Sequence, residues 1–582
     1  MFRPVDEHTR AKNGRFGQLA WICLLAIALH LPSLSIGFLA DDYVHQWRIE
    51  SGDSALRTDL YNFSAARNAA RAGSGEALEA WWMSPEWELT FVRPLTSLSI
   101  SLDHLLFGRT ALASHIENLA WLVLCLLAMA RVLGDLGLSK QTVGLALVIF
   151  AASDVTLVPV GWIANRNSLL EVALGLSAIA VLGRKPTGLR LGLALLLALG
   201  ASAAKESGSL FLALTGALAF RRGQVWVPAW TALAGGALVS LWKFGGLQSQ
   251  SRFYPSPFTD LGEYLTRLTG LVAALPSALA LPLPTDLYFQ QGRPGLWIVL
   301  VGPVLFGCFA PLLAQARRSN PRAFGFFAGW TLLALLPQAC APLSDRLYFH
   351  ALAPAAALLA MSLQPDAARQ AFPIRRRIGL ALTVFVSGAA LFAGQVMLAK
   401  LAEESRQFVA SALDLADEAG AKTVVLTQAP NPLAFLAPGA VAAMYADRED
   451  VAFVQLQLYG RELRIESPEV SPARVQVFSG VPIGEAPVEI VLRAPGPGPA
   501  PGHSARRGEI TLTVLETGPQ EPAGAQAIPG PIQTLEIGWE GPAPLFLGAG
   551  PGGPRPLEPL EGGLFGPQYR SWLPLELPGT HK

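Results

Sequence analysis

Five stretches carry residue types that could do chemistry. The first is Asp41-Asp42, with His45 close behind. One of two adjacent carboxylates can act as a general base while the other orients it or a cation, and their mutual repulsion pushes the two pKa values apart. A plainer role is to end an apolar helix at a membrane surface and cap the next element. The second stretch is Arg93-Pro94-Leu95, followed by Asp103-His104 and Phe107-Gly108. Arginine is the residue type for gripping phosphate or pairing a buried carboxylate, although a surface Arg beside a helix-starting Pro fits too. The third and fourth are Asn165-Arg166-Asn167 and Lys205-Glu206, each between two apolar runs. The Lys-Glu pair reads as an internal ion pair near the membrane surface or as a solvated turn. The fifth is Asp345-Arg346-Leu347-Tyr348. Arg346 and Tyr348 could meet a lipid-linked phosphate, or anchor a helix as an aromatic belt residue and a snorkelling Arg. Asp154, inside an apolar run, needs a partner within the protein.

The elements that must position these residues are membrane helices. Of 582 residues 51% are hydrophobic and 15% charged, where a soluble chain carries nearer a quarter charged. A net charge of +1 argues against a nucleic-acid partner. The four cysteines lie singly in apolar stretches without CxxC spacing, so neither a disulfide framework nor a zinc site is expected. Arginine outnumbers lysine 36 to 8, a bias of GC-rich bacterial genomes that makes a bacterial inner membrane the expected location.

A span needs roughly 17–25 mostly apolar residues. The first runs over 17–40, after a basic cytoplasmic N-terminus at 1–16, and reads as an uncleaved helix. Further spans are expected at 115–133, 142–162, 168–182, 189–203, 207–220, 225–247, 295–314, 323–340, 347–363 and 378–398. With eleven spans, Arg184-Lys185, Arg221-Arg222, Arg317-Arg318 and Arg375-Arg376-Arg377 all fall on the N-terminal, inner side, as the positive-inside rule requires. The chemistry-bearing stretches then crowd the outer side. Two outer loops remain, 41–114, with Trp81, Trp82 and Trp87 suited to interfacial helices, and 248–294, with an interfacial or re-entrant run at 268–283. After Lys400, strand-like runs at 423–427, 451–458, 475–478, 488–492 and 509–514 alternate with Pro/Gly linkers. Residues 400–582 are therefore expected to form an extracytoplasmic soluble domain, β-rich or α/β, with 403–419 as a helix feeding its first strand.

In their order along the chain, these stretches resemble the C-type fold of membrane glycosyltransferases, and within it the protein O-mannosyltransferase relatives and their bacterial homologues. "FLADDYVHQ" resembles the acidic motif of the family's first outer loop. "VRPLTSLSISLDHLLFG" resembles its Arg-Pro-Leu…Asp…Leu-Phe-Gly run, "AAKES" its outer Lys-Glu turn, and "SDRLYFHALAP" the start of a late span. The resemblance covers about 17–398. "WIANRNSLLE" departs from it, with Asn165 and Asn167 where relatives carry Gly and an acidic residue.

The resemblance implies transfer of a sugar, with inversion, from a polyprenyl-phosphate-linked donor to a protein or glycan acceptor outside the cytoplasm. Asp41 would be the general base, with Asp42 as second candidate. His45, Arg93, Asp103, Arg166, Lys205, Glu206, Arg346 and Tyr348 would bind substrate, the cations stabilising the leaving lipid phosphate. No cofactor is implied with certainty. Some families of this fold use a divalent metal, which a lone carboxylate pair does not establish. Two other classes compete. A flippase or transporter of lipid-linked glycan would need polar residues along a path through the bundle. A non-catalytic scaffold would tolerate loss of the outer charges.

Overall fold

The computed structural model describes residues 7–50, 58–64, 88–183, 187–221, 260–280, 313–318, 320–341, 344–363, 374–426, 438–448 and 450–455, a few isolated positions, and the strands between 462 and 566. The expected spans at 225–247 and 295–314, and the strand at 488–492, lie largely or wholly outside the described residues, as do Trp81, Trp82 and Trp87.

The helices in order are α1 (Glu7–His30), α2 (Asp41–Glu50), α3 (Pro94–Phe107), α4 (Ala111–Asp135), α5 (Lys140–Ala152), α6 (Leu157–Gly161), α7 (Arg166–Leu182), α8 (Gly188–Ala204), α9 (Ser209–Arg221), α10 (Leu261–Ala280), α11 (Pro321–Leu335), α12 (Phe349–Ser362), α13 (Ile374–Ala419) and α14 (Pro438–Ala446). A short hairpin, β1 (Asn62–Ser64) with β2 (Glu88–Thr90), precedes α3. Four of these helical stretches are long and apolar enough to cross a membrane, at Gly17–Ser35, Ala111–Asp135, Pro321–Cys340 and Ala381–Ala419. The chain is an integral membrane protein. Its core is a contiguous set of Leu, Ala, Phe and Val side chains drawn from most of these helices.

Local sequence explains how the helices turn. At the end of α4, Gly137 takes φ +86, a conformation glycine adopts without strain, and Leu138 N–H donates to Leu133 O. Ser139 then caps α5, its hydroxyl accepting from Thr142 N–H at 3.1 Å. The stretch expected as one span over 142–162 is not straight. It bends by 57° between α5 and the segment Asp154–Gly161, because Ser153 leaves the helix with ψ 133° and its hydroxyl caps the turn that follows. That break lies directly before Asp154. A buried polar chain fixes it there: His30 bonds Thr156 Oγ1 at 3.0 Å, and Gln395 bonds His30 at 2.6 Å, tying α1 and α13 to the break.

Besides the 3-10 turn Leu31–Ser35 that follows α1, the described residues hold 3-10 turns at helix ends at Asp154–Thr156, Ile163–Asn165, Glu206–Gly208, Pro337–Cys340 and Asp345–Tyr348. Of these latter turns, the first packs against the last, the third against the fourth, and the second against α2. α3 lies beside them, with Thr96, Ser97, Ile100 and Asp103 buried and Leu98, Leu102, Leu105 and Leu106 exposed. An apolar face of that kind suits a helix lying in the membrane interface.

Beyond the bundle, helix and chain continue across residue 400. α13 is one helix of 46 residues, about 69 Å long at 1.5 Å per residue, and it carries the last apolar span directly into the C-terminal region. After Gly420 come β3 (Thr423–Leu426), α14 and β4 (Ala452–Gln455), with β3 and β4 parallel. The intervening strands β5 (Glu462–Glu466), β6 (Ala473–Ser479), β7 (Ser504–Arg507), β8 (Ile510–Thr517) and β9 (Ile532–Trp539) belong to a second sheet. β10 (Leu545–Gly550) and β11 (Gly553–Pro556) return to the first, giving the order β11-β10-β3-β4. β12 (Glu558–Leu560) and β13 (Leu564–Gly566) complete the second, a seven-stranded sheet in the order β12-β13-β5-β6-β9-β8-β7, antiparallel throughout. An α/β unit thus carries a β-rich insertion.

Candidate active site

The two neighbouring aspartates are set differently. Asp42 is buried, and both its oxygens are taken: Oδ2 by Leu39 N–H at 2.9 Å and Oδ1 by Ala164 N–H at 2.6 Å. It straps the start of α2 to the 3-10 turn before α7. Burial pushes its carboxyl up to about 8, against the pull of those two amides. Asp41 is only half-buried, and among the described residues no hydrogen bond or ion pair holds its carboxylate. Burial raises its pKa, and the charges of Arg346, Arg48 and Arg93 hold that rise in check. Just before it, Ala40 takes φ +40. A residue with a Cβ in that region costs about 1–3 kcal/mol and persists only where the surroundings impose it. Of the two carboxylates ranked as first and second candidate base, Asp42 straps two elements together through both its oxygens, whereas Asp41 keeps its oxygens clear of such contacts among the described residues.

The cations also separate into classes. Arg166 is fully buried, and all five of its N–H donors have protein acceptors. Nε donates to Asn118 Oδ1 at 2.7 Å. Nη1 donates to Ser99 Oγ at 3.0 Å and Glu117 Oε2 at 2.8 Å. Nη2 donates to Ser114 O at 2.9 Å and lies 2.7 Å from Asp103 Oδ2. Arg166 and Asp103, expected among the substrate-binding residues, lie in a buried knot joining α3, α4 and α7. Tyr348, expected among the same residues, is also enclosed by the bundle. It is buried, its hydroxyl donates to Leu271 O at 3.0 Å, and it faces α10 rather than the surface. His45 is buried edge-on against the Tyr61 ring, 4.8 Å between centroids. Burial lowers its pKa to about 3, so it stays neutral.

Arg93, Lys205 and Arg346 are partly exposed instead. Glu206 grips Arg93 through Nε and Nη2, both at 3.0 Å, and the guanidinium lies over Phe91 and Tyr61, 4.3 and 5.0 Å from the ring centroids. Those contacts fix its plane. Lys205 donates to Ser168 Oγ at 3.0 Å and lies 3.9 Å from Glu171 Oε2. Burial draws its pKa down to about 8. Arg346 lies over Trp162 at 5.8 Å and, among the described residues, has no ion-pair partner.

Behind Lys205 sits a pair that sequence reasoning missed. Glu171 in α7 and His350 in α12 are both buried, with Oε1 and Nδ1 2.6 Å apart. The His350 ring stacks on Phe211 at 4.6 Å, and Phe211 in turn fits against α7 because residue 175 is glycine. A Cβ there would fall 2.2 Å from the Phe211 ring. The signal was present: a single carboxylate inside an apolar span costs about 2.5–3.5 kcal/mol and requires a partner.

Among the described residues no group of three or more His, Cys, Asp and Glu is placed to hold a metal ion. Asp42 has committed both oxygens to amides, leaving Asp41 as a single carboxylate under the influence of Arg346, Arg48 and Arg93. That donor set does not fit a divalent cation, which favours several oxygen ligands.

No family model matches the chain, and no curated protein does. Among solved structures it is similar to ArnT from Cupriavidus metallidurans bound to undecaprenyl phosphate, with 10% identity and a TM-score of 0.42 over 75% of this chain and 90% of that one. It is also similar to the archaeal oligosaccharyltransferase AglB from Archaeoglobus fulgidus in complex with an inhibitory peptide and a dolichol-phosphate, with 11% identity and a TM-score of 0.36 over 76% of this chain and 65% of that one.

Proposed function

We propose that this chain is a membrane glycosyltransferase that moves one sugar, with inversion, from a polyprenyl-phosphate-linked donor to an acceptor hydroxyl outside the cytoplasm. The observation that carries this reading is the pairing of one unengaged carboxylate with a set of partly exposed cations at the outer end of the bundle. Asp41 accepts the acceptor's proton as its oxygen attacks the anomeric carbon. The bond from that carbon to the phosphate oxygen breaks, and the lipid phosphate leaves with the electron pair. Arg346 and Lys205, with Arg93 beside them, neutralise the charge that develops on it. The raised pKa of Asp41 suits a base, because a carboxylate that binds its proton more tightly takes it more readily. Arg166, Asp103 and Tyr348 act as framework and do not touch substrate. The eleven-span topology with the C-terminal domain outside belongs to the same proposal and puts the site at the outer water–lipid boundary.

The direct test is transfer from a radiolabelled polyprenyl-phosphate sugar to membrane acceptors by purified wild-type protein and Asp41→Asn. Asp41→Asn should insert and fold normally while transfer is lost. Full transfer by the variant would overturn the assignment of the base.

A further inference from the structure

Helix α2 has two faces, and they meet different parts of the molecule. At 100° per residue, positions 41, 42, 45 and 48 share one side, and 43, 44, 47 and 50 the other. The first side is built into the bundle. Asp42 straps the 3-10 turn before α7, His45 packs on Tyr61, and Arg48 donates to Leu60 O and Asn62 O at 2.8 and 2.9 Å. The second side is buried against the α/β unit. Tyr43 and Val44 join one apolar cluster with Phe408, Val409 and Ala412 of α13 and Val441 of α14. The Tyr43 hydroxyl also bonds Arg406, and Arg406 donates to Ile36 O at 3.3 Å.

The far end of α2 is tied as well. Arg109, between α3 and α4, donates to both oxygens of Glu50, at 2.7 and 2.6 Å. Its remaining nitrogen donates to Met444 O at 3.3 Å and bonds Asp447, just past α14. One guanidinium therefore joins the bundle, the last residue of the Asp41 helix and the C-terminal unit.

We propose that the C-terminal α/β unit is a wall of the catalytic site, clamping α2 from outside, and that Arg109 is the positioning residue for Asp41. The inference rests on Asp41 being the base, but the clamp itself can be measured without any transfer reaction. A ten-residue helix flanked by loops does not hold its orientation alone, since isolated helices this short are marginal in water. Burial on both sides, with both ends fastened, supplies that orientation. The strained Ala40 is consistent with an imposed geometry.

The experiment uses the full-length protein and the variants Arg109→Ala, Arg109→Lys and Val44→Ala. The Arg109 side chain is 37% exposed, so Arg109→Ala leaves the fold in place. Amide hydrogen exchange of residues 41–50 should speed up by about threefold to tenfold in Arg109→Ala and Val44→Ala, as expected when a partly exposed charge network or two buried methyl groups are lost. Exchange in α4 and α7 should not change. In transfer assays kcat should fall by a similar factor with the KM for the lipid donor unchanged, and Arg109→Lys should recover part of the loss. Unchanged exchange at 41–50 in both Arg109→Ala and Val44→Ala would overturn the clamp, whatever the activity. Faster exchange with kcat unaltered would overturn the positioning role of Arg109. Faster exchange in a protein that transfers no sugar even as wild type would uphold the clamp and instead count against the glycosyltransferase reading.

Discussion

Arg166 and Arg346 open two segments of the same bundle and look alike in the sequence, each beside a carboxylate or amide and ahead of an apolar run. The structure gives them opposite settings. Arg166 is fully buried with every donor occupied, whereas Arg346 keeps partial exposure and rests on Trp162. The same contrast separates Asp42, with both oxygens fixed by amides, from Asp41 beside it. A group whose hydrogen-bonding capacity is filled holds the fold together. A group held in place with capacity remaining can meet a substrate. The distinction turns on unfilled capacity, not charge or burial alone.

Substitutions at the two arginines sharpen that comparison most. Arg166→Ala leaves Asp103 and Glu117 without their cation, and breaking a buried pair costs about 3–5 kcal/mol. The expected outcome is poor yield and a strongly lowered melting temperature in detergent. Arg346→Ala should melt like wild type while transfer drops by about 10²–10³-fold, the range for removing one group that stabilises developing negative charge. If the two variants lose stability equally, the contrast fails.

The carboxylates provide the next test. Asp41→Asn should reduce kcat by about 10²–10⁴-fold, the range for loss of a general base, without a change in melting temperature. In Asp42→Asn only one side-chain oxygen remains to accept, so one of two buried amides is left unpaired at about 1–3 kcal/mol. Thermal unfolding should separate the variants, with Asp42→Asn the less stable of the two.

How much of this was legible in the sequence follows from range. The long apolar windows at Gly17–Ser35, Ala111–Asp135, Pro321–Cys340 and Ala381–Ala419 depend on neighbouring residues, so composition reveals them. The expectation that Asp41, Arg93, Lys205 and Arg346 share one end of the bundle follows from the order of the apolar runs. What the sequence hides is which acceptor each donor finds. Arg166 meets Asp103 and Glu117 across 63 and 49 positions of chain, and Glu171 meets His350 across 179. Nothing local to Arg166 marks its donors as occupied. The break at Ser153 was hidden for a different reason: apolar residues continue through it, and hydropathy is blind to a single extended ψ.

A pH profile probes the open centre without disturbing the buried one. Lys205, with its pKa near 8, is charged below that pH and loses its proton above it. Phosphate stabilisation should fade on the alkaline side, so kcat/KM, which reports the free enzyme, should fall above about pH 8. On the acid side it should rise as Asp41 loses its proton, at a pH above the ordinary carboxylate range because burial raises that pKa. Arginine stays charged throughout this range, so Lys205→Arg should move the alkaline limb upward and leave the acid limb where it was. An unmoved alkaline limb would mean that Lys205 does not face the phosphate.

The smallest effect is expected at Tyr348, which the sequence placed among the substrate-binding residues and the structure places in the core. Tyr348→Phe removes one hydrogen bond to Leu271 O and keeps the ring. A typical intramolecular hydrogen bond contributes about 0.5–1.5 kcal/mol, so melting should shift slightly and both kcat and the donor KM should stay at their wild-type values. Were Tyr348 instead a phosphate ligand, the donor KM would rise while the melting temperature held. The two outcomes move different observables, so this mild substitution separates a residue that supports the site from one that lines it.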